Sequence, residues 1–174
     1  MRKITLVLIL VGMLGLQSCV KEEVIIQDIN DQDTISEVYE LRNINLNSVN
    51  NSSYFYYEEF NPNIVASDVV LIYRLSGTIN PTTPIWQQIP RTLYLDQGEL
   101  DYDFDFSKVD FTIYAKATYN LSLTPEYVNN ETFRLVIIPG YASNKMAPSK
   151  IDLSDYNAVI KAYNIDDSKV KVLK

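Results

Sequence analysis

Among 174 residues there is one thiol, Cys19, and no histidine. Without an imidazole there is no Ser-His-Asp or Cys-His mechanism within the chain and no histidine-ligated metal. Carboxylates, Lys, Tyr and Ser are left for chemistry. Glu99, Asp101, Asp103 and Asp105 occupy every second position. In a strand they share one face, with neighbours roughly 6.8 Å apart. Two neighbours at that spacing can share a Ca²⁺ with help from a loop, so Asp101, Asp103 and Asp105 are the metal candidates. An EF-hand is excluded, because its sixth position needs Gly and holds Phe106, and its twelfth needs Glu and holds Thr112. The expected role of the row is a solvated acidic face that keeps a sheet soluble. Paired carboxylates also run glycoside hydrolysis. Adjacent strand residues point to opposite faces, however, so Glu58 and Glu59 do not pair across one substrate. No catalytic residue is assigned, no metal site is expected, and nothing in the sequence calls for a cofactor.

The cysteine has a context. Arg2 and Lys3 form a positive start, and Ile4 to Leu16 is an almost unbroken apolar run. That run is shorter than the roughly 20 residues of a bilayer-spanning helix and suits the apolar region of a signal peptide. Leu16-Gln17-Ser18-Cys19 resembles a bacterial lipobox. The resemblance implies cleavage before Cys19 by signal peptidase II, a diacylglyceryl thioether on its Sγ, and acylation of the new amino terminus. One acyl chain anchors only marginally, whereas two or more hold a protein to a membrane. The alternative is a free or structural cysteine behind an ordinary secretory signal. A lone cysteine has no disulfide partner in the chain. Next come Lys21, Glu22 and Glu23, which resemble the Lys-acidic-acidic signal that exports some Bacteroidota lipoproteins to the cell surface. A solvated charge cluster in a linker is the other reading. Asp33-Thr34-Ile35 resembles the Asp-Thr-aliphatic site of O-glycosylation in Bacteroidota, with Thr34 as acceptor.

These assignments divide the chain into a signal peptide (1–18), an acylated cysteine with an acidic tether (19–36) and a single β-rich domain (37–174). Arg2 and Lys3 leave with the signal, so Lys and Arg fall from 15 to 13 against 22 Asp and Glu, and the net charge moves from −7 to −9. Phosphate-backbone binding needs clustered Lys and Arg, and there is no such cluster. No nucleic-acid partner is expected.

The elements that must position these residues read mainly as β. Strands are expected at Val38–Leu46, Tyr54–Phe60, Asp68–Leu75, Ile85–Ile89, Thr92–Leu95, Thr132–Ile138 and Lys169–Leu173. Turns or loops are expected at Asn47–Ser53, Ser76–Pro84, Asp96–Gly98 and Asn120–Glu131. Leu100, Tyr102, Phe104 and Phe106 alternate with the acidic row, and Val109, Phe111, Ile113, Ala115 and Ala117 alternate with polar residues. Each of these two strands therefore offers one apolar and one polar face. Ser107-Lys108 between them reads as a two-residue hairpin. Leu153, Tyr156, Val159, Ile160 and Tyr163 recur at helical spacing. Asp152 or Ser154 is placed to cap that helix, and Asn164 to end it. The expected fold is an antiparallel β-sandwich with one C-terminal helix, which covers an open end or edge, and a short last strand.

From Val38 to Lys174 the chain resembles a group of small uncharacterised Bacteroidota-type lipoproteins. The resemblance rests on "SDVVLIYRL", on Trp86 with "IPRTLYL" after it, on "FRLVIIP" and on "IDLSDYNAVIKAYNIDDSKVKV". In some relatives a collagen-like Gly-x-y stalk follows the lipobox, whereas Val20 to Ser36 here holds no glycine. The resemblance implies an envelope location and one β domain, and it brings no catalytic motif.

The resulting expectation is a lipid-anchored outer-membrane lipoprotein that acts as a non-catalytic binding or structural module. Its partners are the membrane, through acyl chains on Cys19, and a glycan or an envelope protein. It faces either the cell surface, as Lys21-Glu22-Glu23 implies, or the periplasm. Tyr54, Tyr56 and Trp86 form the candidate ligand face, with plain sheet packing as the competing role of these aromatics. The alternative function is an accessory hydrolase of polysaccharide use, working with a carboxylate pair.

Overall fold

Strands with one apolar face must bury it against another layer, and two five-stranded sheets do so here. The computed structural model describes residues 35–140 and 151–173, within the unit Asp31–Lys174. The first sheet is formed by β1 (Glu37–Ile44), β4 (Val69–Asn80), β5 (Thr83–Ile89), β9 (Glu131–Ile138) and β10 (Lys171–Leu173), in the order β10-β1-β9-β4-β5. The second is formed by β2 (Asn47–Asn50), β3 (Ser53–Glu59), β6 (Arg91–Leu95), β7 (Gly98–Phe106) and β8 (Asp110–Ala117), in the order β2-β3-β8-β7-β6. All pairings are antiparallel except β10, which lies parallel to β1. The fold is the β-sandwich that the sequence predicts.

The core fills the space between the sheets. Leu41, Ile72, Phe133 and Leu135 come from one side, and Leu100, Tyr102, Phe111, Ile113 and Ala115 from the other. The alternation of β7 and β8 is realised, with Leu100, Tyr102, Phe111 and Ile113 buried and the acidic row outside. By contrast, the unbroken apolar runs of β4 and β9 demand cover on both faces. Their outward side chains Leu71, Tyr73, Val136 and Ile138 form a second cluster with Val38, and α1 (Tyr156–Ala162) closes it with Tyr156 and Val159.

Several expectations are corrected. The helix lies over the outer face of the first sheet, beside its edge strand β5, where Tyr156 packs on Trp86, because that face is the one left apolar. Its cap is Asp155, whose side chain accepts from Ala158 N at 3.1 Å, while Asp152 serves the preceding turn through Ser154 N at 2.9 Å. Asn164 follows the helix with a left-handed φ of 50°, as its placement at the end requires. Asn47–Ser53 is not all turn, because β2 occupies Asn47–Asn50. Ser76–Pro84 is no loop, because β4 runs on to Asn80 and pairs with β5 around a turn at Pro81-Thr82. Pro90 does not merely interrupt two strands; it stands where the chain leaves one sheet for the other. The β7–β8 connection holds four residues, not two, between the paired Phe106 and Phe111. Ser107 N donates to Asp110 O at 2.8 Å there. This chain has no Asn-Gly or Asp-Gly to support the tighter turn.

One glycine is dictated by geometry. Gly98 opens β7 with φ 138°, and a Cβ there would lie 2.5 Å from Thr118 Oγ1, the atom that accepts from Glu99 N at 3.0 Å. Gly98→Ala is expected to destabilise the domain by about 1–3 kcal/mol, read as a lowered denaturant midpoint with an unchanged m-value.

Candidate functional site

The two outer faces of the sandwich differ in what they leave available. On the first sheet the centre of the outer face is a part-buried charge network around the buried carboxylate of Glu40. Arg134 of β9 donates from Nε to Glu40 Oε2 at 2.6 Å and from Nη1 to the Tyr156 hydroxyl at 2.6 Å. Its guanidinium lies 4.5 Å from the Trp86 ring centre and 5.2 Å from that of Tyr156, a cation–π arrangement. Asp167 adds a weaker contact at 3.4 Å and also accepts from the Tyr156 hydroxyl at 3.1 Å. Arg42 donates to the other oxygen of Glu40. Burial pushes the Glu40 carboxyl up, but the bonds from Arg134 and Arg42 outweigh this and hold it below its ordinary 4.5. This face is committed to the fold.

A second charged pair lies inside the sandwich. Arg74 meets Glu131 through two bonds of 2.7 Å, with the guanidinium 4.9 Å from the Tyr102 ring centre and 5.3 Å from that of Tyr127. Both groups are buried. A bidentate pair of this kind satisfies charges that would otherwise be costly to bury. It lies between the sheets and holds the interior together.

The outer face of the second sheet carries no such cover among the described residues. Cross-strand register arranges it in rows: Phe55, Tyr114 and Asp103; Tyr57, Thr112 and Asp105; Ser53, Lys116, Asp101 and Thr92; Tyr94 beside Glu99. Tyr94 is 80% exposed and Tyr57 46%. Between β7 and β8 runs a shallow trough of about 500 Å³, lined by Asp101, Asp103, Asp105, Tyr114 and Lys116. Among the described residues no carboxylate lies within ion-pair distance of Lys116. The Tyr114 hydroxyl donates to Asp105 at 2.9 Å, and this bond holds the phenol above its ordinary value. The face thus combines flat aromatic rings with hydrogen-bonding groups, which suits stacking on a sugar or contact with a protein.

The expected ligand residues are not brought together. Tyr54 and Tyr56 pack on the core between the sheets, and Trp86 packs under the helix on the first sheet. The exposed tyrosine rings of this face are Tyr57 on β3 and Tyr94 on β6, with the half-buried Tyr114 on β8 between those strands. Asp101, Asp103 and Asp105 share a face as expected, yet each meets a different local donor: the Thr92 hydroxyl, Phe104 N and the Tyr114 hydroxyl. Among the described residues no three acidic groups converge to hold a metal ion. Cys19, with Leu16, Gln17 and Ser18, lies outside the described residues, as do Lys21, Glu22, Glu23 and Thr34. Among the described residues no helix is long and apolar enough to cross a membrane.

A small cleft of about 100 Å³ lies near the start of β1, with Glu37 and Asp68 in its wall. Both carboxylates are engaged. Glu37 accepts from the Tyr39 hydroxyl and pairs with Lys171 at 2.5 Å. Asp68 accepts from the backbone of Val65 at 2.9 Å and of Gly140 at 3.4 Å. The volume is well below the roughly 300 Å³ at which ligand pockets begin.

Two outcomes follow for the Arg134 network. Arg134→Met, which leaves Glu40 with Arg42 alone and removes the bond to the Tyr156 hydroxyl, should cost about 1–3 kcal/mol in chemical denaturation. Glu40 has a lowered native pKa, so its contribution to stability is complete above the ordinary 4.5 and is lost as pH falls through the native value. Glu40→Gln should therefore flatten the fall in stability below that pH, as measured by denaturant midpoints across an acid series. Compared with family profiles, characterised proteins and solved structures, the chain matches none, so what these surfaces do must be read from their own chemistry.

Proposed function

We propose that this protein is a lipid-anchored module of a bacterial cell envelope that binds a glycan or an envelope protein through the outer face of its second sheet. One observation carries the reading. The first sheet is occupied on both faces, whereas the second presents Tyr57, Tyr94 and Tyr114 beside an acidic trough with nothing of the described chain over them. Flat exposed tyrosines offer rigid contact area at low entropic cost. The anchor rests on the sequence: Cys19 at the end of an apolar run, followed by a tether that leads to Glu37. The hydrolase alternative finds less support, because Glu37 and Asp68 in the small cleft are both held in structural bonds.

Binding is tested with isolated envelope polysaccharide and envelope protein fractions as probes. Replacing Tyr57, Tyr94 and Tyr114 together by Ser should abolish retention while the thermal midpoint stays within a few degrees, because these side chains lie outside the core. Unchanged retention would overturn the assignment of the face. In parallel, Cys19→Ala should remove palmitate labelling and membrane-fraction recovery. Retained labelling would overturn the anchor.

A further inference from the structure

Each sheet has two edge strands, and three of the four are blunted. β10 has three residues and begins with Lys171; β2 has four residues and a bulge; β6 begins with Arg91. Short length, bulges and charge are the usual protections against strand addition. β5 departs from this pattern. Its seven residues, Thr83–Ile89, carry no charge, and neither does the segment Ser76–Asn80 of β4 that pairs with it. Charged residues make up 21% of the chain, so a charge-free hairpin of this length stands out. Ile79 at 74% and Ile85 at 41% exposure lie on it. None of the β5 residues has a further hydrogen bond beyond those to β4.

The donor pattern of this edge can be read. Ser76 Oγ donates to Ile85 O at 3.1 Å from the β4 side. Successive strand residues turn their N–H and C=O groups to opposite sides, so Pro84, Trp86 and Gln88 face outward. Pro84 has no N–H, which suits an outward edge position, and Pro90 follows the strand. The free backbone donors are therefore those of Trp86 and Gln88, bracketed by two prolines.

We infer that this edge is the interface between two copies of this chain, joined by antiparallel pairing of β5 with itself about Gln87. In that register Trp86 of one copy lies opposite Gln88 of the other, twice over, and each pair exchanges both its backbone bonds. Pro84 falls opposite Pro90, so no N–H is left facing a residue that lacks one. Ile85 falls opposite Ile89. The strand is its own complement, and the symmetry closes as a two-fold. No like charges meet across it, although each chain is net negative. The first sheet of one copy and the first sheet of the other, each of five strands, become one continuous sheet.

A cysteine in place of Gln87 tests the register directly. There it faces its own copy in a non-hydrogen-bonded pair with Cα atoms about 4.5 Å apart, within the roughly 4.4–6.8 Å that a disulfide spans. The parent chain, whose single cysteine is Cys19, is the control, together with Thr92→Cys on the other sheet. Under mild oxidation the Gln87→Cys chain should become mostly a covalent dimer, and neither control should. In sedimentation equilibrium the full chain should associate, and Gln88→Pro should weaken association at least tenfold with an unchanged far-UV spectrum. Should Gln88→Pro misfold, Ile85→Lys gives the same reading from an exposed position. A Gln87→Cys chain that stays monomeric, one that crosslinks to a protein of another mass, or a parent chain that sediments as a monomer throughout would overturn the inference.

Discussion

A guanidinium inside a sheet cannot be left alone, and the answer to Arg134 organises one whole side of this molecule. The residue sits in β9, a strand otherwise made for burial. Its charge is met by Glu40 from β1, its flat faces by Trp86 from β5 and Tyr156 from α1, and its Nη1 by the hydroxyl of Tyr156. Each partner comes from a different element. The network therefore fixes the helix over the sheet, with the apolar cluster of Leu71, Tyr73, Val136 and Val159 around it. Tyr73 adds a further tie by donating from its hydroxyl to Leu153 O at 2.7 Å. A half-satisfied charge here would cost more than an apolar side chain would, so the arrangement is held as a unit.

The consequence is an asymmetric sandwich. The first sheet spends both faces on the fold. In the second, β7 and β8 were built by alternation, so one face is core and the other is polar. The inner pair Arg74–Glu131 and the Tyr102 hydroxyl, which donates to Tyr127 O at 2.5 Å, tie the long β8–β9 connection into the interior. What remains open is the face with Tyr57, Tyr94, Tyr114 and the aspartates. Function is read from that remainder.

The elements whose burial was one-sided or complete were legible in the sequence. The alternation of β7 and β8 announced one buried face, and the runs of β4 and β9 announced two. Helical spacing found α1 because Tyr156 and Val159 must both face the sheet. Register was not legible. Tyr54 and Tyr56 are in phase with each other, as are Phe55 and Tyr57, and nothing local says which pair faces inward. Only the pairing of Tyr56 with Ile113 and of Tyr57 with Thr112 decides it. The inward-held charges do leave a signal in the sequence: an Arg within "DVVLIYRL" or "TFRLVII" has to find a carboxylate. Glycine and prolines in Ser76–Pro84 suggested a loop, yet the cross-strand ladder overrides that local preference.

The central claim is that one outer face belongs to the fold and the other to a partner. Tyrosine footprinting tests it most directly, with the purified chain compared against the same chain in native envelopes. Tyr57 and Tyr94 should be labelled in the purified protein and protected in the envelope. Tyr73, Tyr102 and Tyr156, buried in the fold, should stay unlabelled in both. Equal labelling of Tyr57 and Tyr94 in the two settings would contradict the claim, and labelling of Tyr156 in the folded protein would contradict the closed first sheet on which it rests.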